Sequence, residues 1–245
     1  MPRFFVSPEA IADGEIIIAG DDARHIARSL RMAVGDGVTV CDGSGAEYHC
    51  TLARIRDEEC VAEVREITPS RAEPPAKITL YMAYPKGDKL ETVVQKSVEL
   101  GATRIVPFES ERCIKRPAPE KAEKQTARLS RIAEEAAKQC GRAILPTVER
   151  PITLATLLTR ISSHSLVLFC YEREEAHTIR HALESLDGIP ADIAVIVGAE
   201  GGFSEREAEA IAAAGAACVT LGPRILRCET APDYALSIIS CFFEM

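Results

Sequence analysis

The sequence predicts an α/β protein in two parts: a small N-terminal β-barrel, then a larger domain built on a mostly parallel sheet. Three observations carry that expectation. Residues 1–68 hold short apolar stretches broken by glycine turns, with a single helical segment among them. Residues 68–75, Thr-Pro-Ser-Arg-Ala-Glu-Pro-Pro, have the proline content of an interdomain linker. From Lys77 onward, apolar runs of strand length alternate with longer amphipathic segments, the pattern of βα units that cover a parallel sheet on both faces. The expected domains are therefore residues 1–70 and 77–245.

In the first part, strands are expected at residues 16–18, 38–40, 48–55 and 60–67, where β-branched and apolar residues concentrate. Gly35-Asp36-Gly37 and Asp42-Gly43-Ser44-Gly45 supply turns between them. A helix capped by Asp21 or Asp22 and ending near Met32 places Arg24, Arg28 and Arg31 on one face, at i, i+4 and i+7. In the second part, residues 78–83 and 104–108 read as strands, and 88–100 as a helix stopped by Gly101. A long helix follows over 119–140, ended by Gly141, and a shorter one over 153–161. Residues 166–171, 193–197 and 218–221 read as further strands. Ser204 with Glu207 is a capping box for a helix that stops at Gly215, and residues 231–243 form a closing helix.

The composition, 47% hydrophobic and 27% charged over 245 residues, is that of an ordinary globular protein. It excludes a collagen-like, coiled-coil or disordered chain. No apolar run approaches the roughly 20 residues of a membrane-spanning helix. The N-terminus lacks the long apolar stretch of a signal peptide, so a cytoplasmic protein is expected. Nine cysteines show no C-x-x-C pair and no clustering with the five histidines. Neither a metal site nor a disulfide framework is expected; small buried thiols in a reducing compartment fit better.

Net charge is −8, which discourages indiscriminate binding to nucleic acid, but the charge is unevenly spread. Residues 112–131 carry Arg112, Lys115, Arg116, Lys121, Lys124, Arg128 and Arg131 against only Glu120 and Glu123. A solvated helix face accounts for this cluster, or for Arg24, Arg28 and Arg31, as readily as a binding surface does.

Four segments are candidates for chemistry. Val197-Gly198-Ala199-Glu200-Gly201-Gly202-Phe203-Ser204 is a glycine-rich turn at the carboxyl end of an apolar strand, the place where open α/β sheets bind ligands. It is neither G-x-G-x-x-G nor a phosphate-cradling P-loop. Leu221-Gly222-Pro223-Arg224-Ile225-Leu226-Arg227-Cys228-Glu229-Thr230-Ala231 again follows a strand and brings two arginines and a glutamate into a loop stiffened by proline. The others are Lys86-Gly87-Asp88-Lys89-Leu90-Glu91, leading into a helix, and Phe108-Glu109-Ser110-Glu111-Arg112-Cys113 at a strand end.

Together with residues 131–142, R-I-A-E-E-A-A-K-Q-C-G-R, and with Pro2-Arg3-Phe4-Phe5 at the start, these blocks resemble the bacterial 16S ribosomal RNA uracil-N3 methyltransferases of the SPOUT superfamily. The resemblance runs through the whole chain in order. It departs at Ala199, where the family usually has proline, and at Cys228, where it usually has threonine. Neither change removes a side chain assigned to chemistry.

The resemblance implies a PUA-like RNA-binding barrel followed by a trefoil-knotted methyltransferase domain. It implies S-adenosyl-L-methionine held by three loops: Tyr171; Val197, Gly198, Glu200, Gly201 and Gly202; and Leu221, Gly222, Ile225, Leu226 and Arg227. It implies a uridine of 16S rRNA in the assembled small subunit as substrate, a homodimer, and neither metal nor membrane. Arg227 is the candidate for stabilising charge on the uracil, with Glu229 or Glu200 as general base. Arg3, Arg24, Arg28, Arg31, Arg112, Lys115 and Arg116 are the candidate RNA contacts. The competing reading is a catalytically inactive RNA-binding or ribosome-assembly module on the same fold. A Rossmann-type enzyme is disfavoured, because the glycine turn lies near the C-terminus instead of in the first βα unit.

Overall fold

Six strands from the first seventy residues make one curled sheet in the computed structural model, which describes residues 1–114, 116 and 119–245. They are β1 (Arg3–Phe5), β2 (Ile11–Ala12), β3 (Glu15–Ala19), β4 (Gly37–Cys41), β5 (Ala46–Ile55) and β6 (Glu59–Pro69), in the order β1-β4-β5-β6-β3-β2. β1 runs parallel to β4 and every other pair is antiparallel. In β3, Ile16 and Ile18 are buried while Glu15, Ile17 and Ala19 are exposed, so one face builds the core. They pack with Phe4, Ala23, Ile26, Val38, Val40 and Leu52. Register shifts at His49/Cys50 and Leu52/Arg54 bend the long β5–β6 pair, as bulges do.

The helical segment departs from expectation. α1 (Gly20–Arg24) is preceded by Ala19, which makes no side-chain cap, and it widens into a π-turn over His25–Ser29. Arg31 then takes φ +52° while the Met32 amide donates to the Ile26 carbonyl at 3.1 Å. That is a helix-ending turn with arginine in the left-handed position usually given to glycine. Arg24, Arg28 and Arg31 therefore do not share one helix face.

Contacts divide the chain into Met1–Glu73 with Ala137–Leu145, and Pro74–Ala136 with Pro146–Met245. The recruitment of 137–145 to the first unit was not foreseen. Its anchor is Arg142, only 1% exposed, which pairs with Glu73 at 2.7 Å. The other Glu73 oxygen accepts from the Ala143 and Ile144 amides at 2.8 and 3.0 Å. A charge this deeply buried persists only where such partners satisfy it.

The second unit follows the expected βα alternation and adds β9, β10 and α5 to it: β7 (Lys77–Ala83), α2 (Lys89–Glu99), β8 (Arg104–Glu109), α3 (Pro119–Cys140), β9 (Thr147–Val148), β10 (Ile152–Thr153), α4 (Leu154–Ile161), β11 (Leu166–Cys170), α5 (Ile179–Glu184), β12 (Asp192–Val197), α6 (Glu205–Ala213), β13 (Ala217–Val219) and α7 (Thr230–Glu244). Its sheet, ordered β10-β8-β7-β12-β11-β13 with β9 beside β8, is parallel at every pair. β12 is buried along Ile193–Val197, which explains why it reads as an unbroken apolar run. The chain leaves β7 toward β8 on one side, but leaves β12 toward β13 on the other. Neighbouring strands whose connections diverge this way open a crevice at their carboxyl ends. Among the described residues, no helix is long and apolar enough to cross a membrane.

Candidate active site

The glycine turn sits at the end of β12 and is closed by a hydrogen bond from the Gly202 amide to the Ala199 carbonyl at 3.0 Å. Its glycines answer to specific neighbours. A Cβ on Gly198 would lie 2.9 Å from the Phe203 ring, and one on Gly201 would lie 2.8 Å from Arg112 Cβ and 2.9 Å from its carbonyl oxygen. Gly202 adopts φ +61°, where a side chain would also meet Glu172. Phe203 is buried against Phe169 and Phe108, with ring centroids 4.9 and 6.2 Å away.

The capping box at the start of α6 forms as expected. It also ties in the 108–113 segment: buried Glu207 accepts from the Glu111 amide at 2.6 Å, and Ser204 donates to the Glu111 carboxylate at 2.8 Å. Arg112 donates to the Gly201 carbonyl at 3.2 Å. This links two of the four segments singled out in the sequence.

A cavity of about 470 Å³ opens over the turn. Tyr171, Val197, Gly198, Glu200, Gly201, Gly202, Leu221, Gly222, Ile225, Leu226 and Arg227, all named from sequence, line it together. The loops meet because the segments after β11 and β13 are joined: the Tyr171 amide donates to Val219 at 3.1 Å, and the Thr220 amide to His177 at 2.8 Å. The size suits a small-molecule ligand.

Lys89 and Glu172 also line the cavity and were not assigned to it beforehand. The signal for Lys89 was present in the Lys86–Glu91 motif. Its distance from the glycine turn in sequence hid the role.

Lys89 Nζ stands 3.1 Å from both Glu200 and Glu229, and 3.7 Å from Cys228 Sγ. Glu200 further accepts from the Lys86 amide at 3.1 and 3.3 Å. Burial pushes the Glu200 and Glu229 carboxyls upward, but hydrogen bonds from backbone amides and from Lys89 outweigh it and hold both below the usual carboxylate range. The Cys228 thiol is pushed up to about 12, first by burial and then by its hydrogen bond to Glu229. Arg227 contrasts with this cluster. Its side chain is exposed and has neither hydrogen bond nor ion pair among the described residues, while its carbonyl accepts the Thr230 and Ala231 amides that begin α7.

The candidate RNA contacts fare unevenly. Arg3 is a correction: its side chain is 12% exposed, donating to Cys41 Sγ at 3.0 Å and paired with Glu47 at 3.2 Å, so it is spent inside the first unit. Arg24 and Arg28 are ion-paired at the surface with Asp21 and Asp57. Arg31 and Arg116 are exposed, and Arg112 is engaged by the glycine turn as described. Lys115 lies outside the described residues. No group of three His, Cys, Asp or Glu side chains placed to hold a metal occurs among the described residues.

The fold, the cavity and the relatives of this chain together define an RNA methyltransferase. A family model described as an RNA methyltransferase domain matches residues 72–240, and one described as an RNA methyltransferase PUA domain matches residues 18–69. Ribosomal RNA small subunit methyltransferase E of Bacillus subtilis is 35% identical, over 100% of this chain and 98% of its own length. The enzyme of that name from Neisseria gonorrhoeae, solved bound to S-adenosyl methionine, superposes with a TM-score of 0.87 at 33% identity, covering 99% and 98% of the two chains. A putative methyltransferase from Legionella pneumophila, also solved with this cofactor, gives 0.86 at 29% identity over 98% and 96%. The chain belongs to the ribosomal RNA small subunit methyltransferase E family.

Proposed function

We propose that this chain is an S-adenosylmethionine-dependent methyltransferase that modifies N3 of one uridine of 16S rRNA in the small ribosomal subunit, and that it acts as a homodimer. The observation that carries the reading is the meeting of three separate loops around one cavity, over a turn whose glycines pack against Phe203, Arg112 and Glu172. The same reading takes the chain path through residues 195–230 to be knotted. The bonds tying residues 171–178 to 219–220 favour that path.

S-adenosylmethionine, when bound, supplies a methyl group already activated on a sulfonium. What this chain must manage is the acceptor. Uracil N3 carries a proton on its pairing edge, so the base has to be unpaired and deprotonated. Negative charge then spreads over the ring and its carbonyl oxygens. Arg227, which lines the cavity and whose side chain has no hydrogen bond or ion pair among the described residues, offers paired donors to that charge. Glu200 spends its oxygens on the Lys86 amide and Lys89, and so positions the start of α2. Glu229, on the other side of Lys89, is the better-placed base of the two. Incubating unmodified small subunits with methyl-labelled cofactor and mapping the modified base tests the whole reading. Label at another position, or none, overturns it.

Burial and the bond to Glu229 hold the Cys228 thiol in its protonated form at neutral pH, which disfavours a thiolate adduct. Cys228→Thr should therefore keep turnover within a few-fold of the parent, checked by initial rates on small subunits. A dead variant would point to thiol chemistry.

Support for the homodimer comes from α7. Pro232, Ala235, Leu236 and Ile239 face the core, while Tyr234, Cys241 and Phe242 follow at i, i+7 and i+8 on an exposed face. Tyr234 and Phe242 are 42% and 41% exposed, and Ile225 at the cavity lip is 80% exposed. An apolar stripe of this kind suits a two-fold contact. Sedimentation at micromolar concentration should give twice 26.6 kDa for the parent, and a monomer for Phe242→Glu. A monomeric parent removes the dimer from the reading.

A further inference from the structure

A second cavity of about 860 Å³ lies between α3 and residues 84–91, within the second unit. Lys121, Lys124, Arg128 and Arg131 fall at i, i+3, i+7 and i+10 of α3, so they form one stripe along the groove. At 1.5 Å per residue the stripe is about 15 Å long. All four are exposed. Arg128 is paired with Glu91 at 2.8 Å, but Lys121, Lys124 and Arg131 have no ion pair among the described residues. Leu90 and Ile132 contribute an apolar floor. This stripe stands out on a chain of net charge −8, so any pull on an anion here is local.

The groove borders the candidate active site along one short stretch of chain. Gly87, Asp88, Leu90 and Glu91 line the groove, whereas Lys89 lines the cofactor cavity and the Lys86 amide is held by Glu200. Neighbouring residues of this stretch line the two cavities, which gives a strand with one base at the first a path for its flanking backbone along the second. We infer that this groove binds the single-stranded RNA flanking the methylated nucleotide, with Lys121, Lys124 and Arg131 on its phosphates. The inference rests on the proposed rRNA methyltransferase activity. It adds a surface beyond the glycine turn and its two partner loops.

The test uses the full chain and the triple variant Lys121→Ala, Lys124→Ala, Arg131→Ala. Alanine at exposed helical positions preserves α3, and circular dichroism verifies it. Binding of a 12-nucleotide single-stranded RNA, and of unmodified small subunits, is measured from 50 to 200 mM salt. Each lost phosphate contact on a single strand flattens the log–log salt slope by about 0.7, so the variant should lose about 2. Its KM for subunits should rise by an order of magnitude, with kcat at saturation and S-adenosylmethionine affinity unchanged. Arg180→Ala with Arg206→Ala, on exposed positions of α5 and α6, should leave the slope as it was.

An unchanged slope in the triple variant overturns the inference while leaving the methyltransferase reading intact. Weakened binding to subunits with undiminished binding to the RNA overturns it too, in favour of an acidic ribosomal protein. A parent protein that methylates no subunit base refutes the proposed function, and the slope still decides the groove.

Discussion

Replacing Arg227 by alanine is expected to lower turnover by about 10²–10³-fold with cofactor and RNA both saturating, the usual cost of deleting one donor to a developing anion. The reasoning is electrostatic. Lys89 is shared between Glu200 and Glu229 and compensates both, but the Arg227 guanidinium has no hydrogen bond or ion pair among the described residues. It is therefore available when charge appears on a substrate. The fold does not depend on this side chain, because the structural bonds of residue 227 come from its carbonyl to the Thr230 and Ala231 amides, both at 2.9 Å. Alanine keeps them. Arg227→Lys should recover only part of the activity, since an ammonium cannot offer two parallel donors. Single-turnover methylation of small subunits decides the matter, and a normal rate for Arg227→Ala removes the residue from the chemistry.

Gly201→Ala is expected to weaken S-adenosylmethionine binding by about 5- to 150-fold. The added methyl would sit 2.8 Å from Arg112 Cβ and 2.9 Å from the Arg112 carbonyl, and neither atom is the free end of a flexible side chain. Either the turn or the 108–113 segment must move. Overpacking of this sort costs about 1–3 kcal/mol, which is the range quoted when expressed as a binding ratio. Gly188→Ala is the matched control, because a Cβ there meets nothing within 4 Å. Calorimetric titration of the cofactor should separate the two variants. Equal affinities would mean that the turn is not part of the cofactor site.

Much of this was legible beforehand, for identifiable reasons. The five-residue run Ile193–Val197, short and rich in β-branched residues, reads as a buried strand and is one, and the helix stops at Gly101, Gly141 and Gly215 coincide with positive φ at each glycine. The capping box at Ser204 and Glu207 is a short-range signal and forms as read. Short elements were not visible: β9 and β10 are two residues each, held in place by β8 rather than by their own composition. The arginines of the first helix were misplaced, because a periodicity argument assumes an α-helix where the chain makes a π-turn. Arg3 looked like a free cation until β1 and β5 set it between Cys41 and Glu47.

By itself, the sequence determined the order of the longer strands and helices, the positions of the glycine turns and most of the residues in the loops after β12 and β13. Those are consequences of local propensity and of periodicity, which act over a few residues. Only the tertiary structure decided which of those residues meet. Lys89 reaches Glu200 and Glu229 across more than a hundred residues of chain because β7 and β12 are neighbours in the sheet. The same pairing sets one lysine between two carboxylates at the cavity that Arg227 also lines. Strand order is a long-range choice, made by burying both faces of one sheet together, and it alone turned scattered motifs into a cavity with a charge pattern.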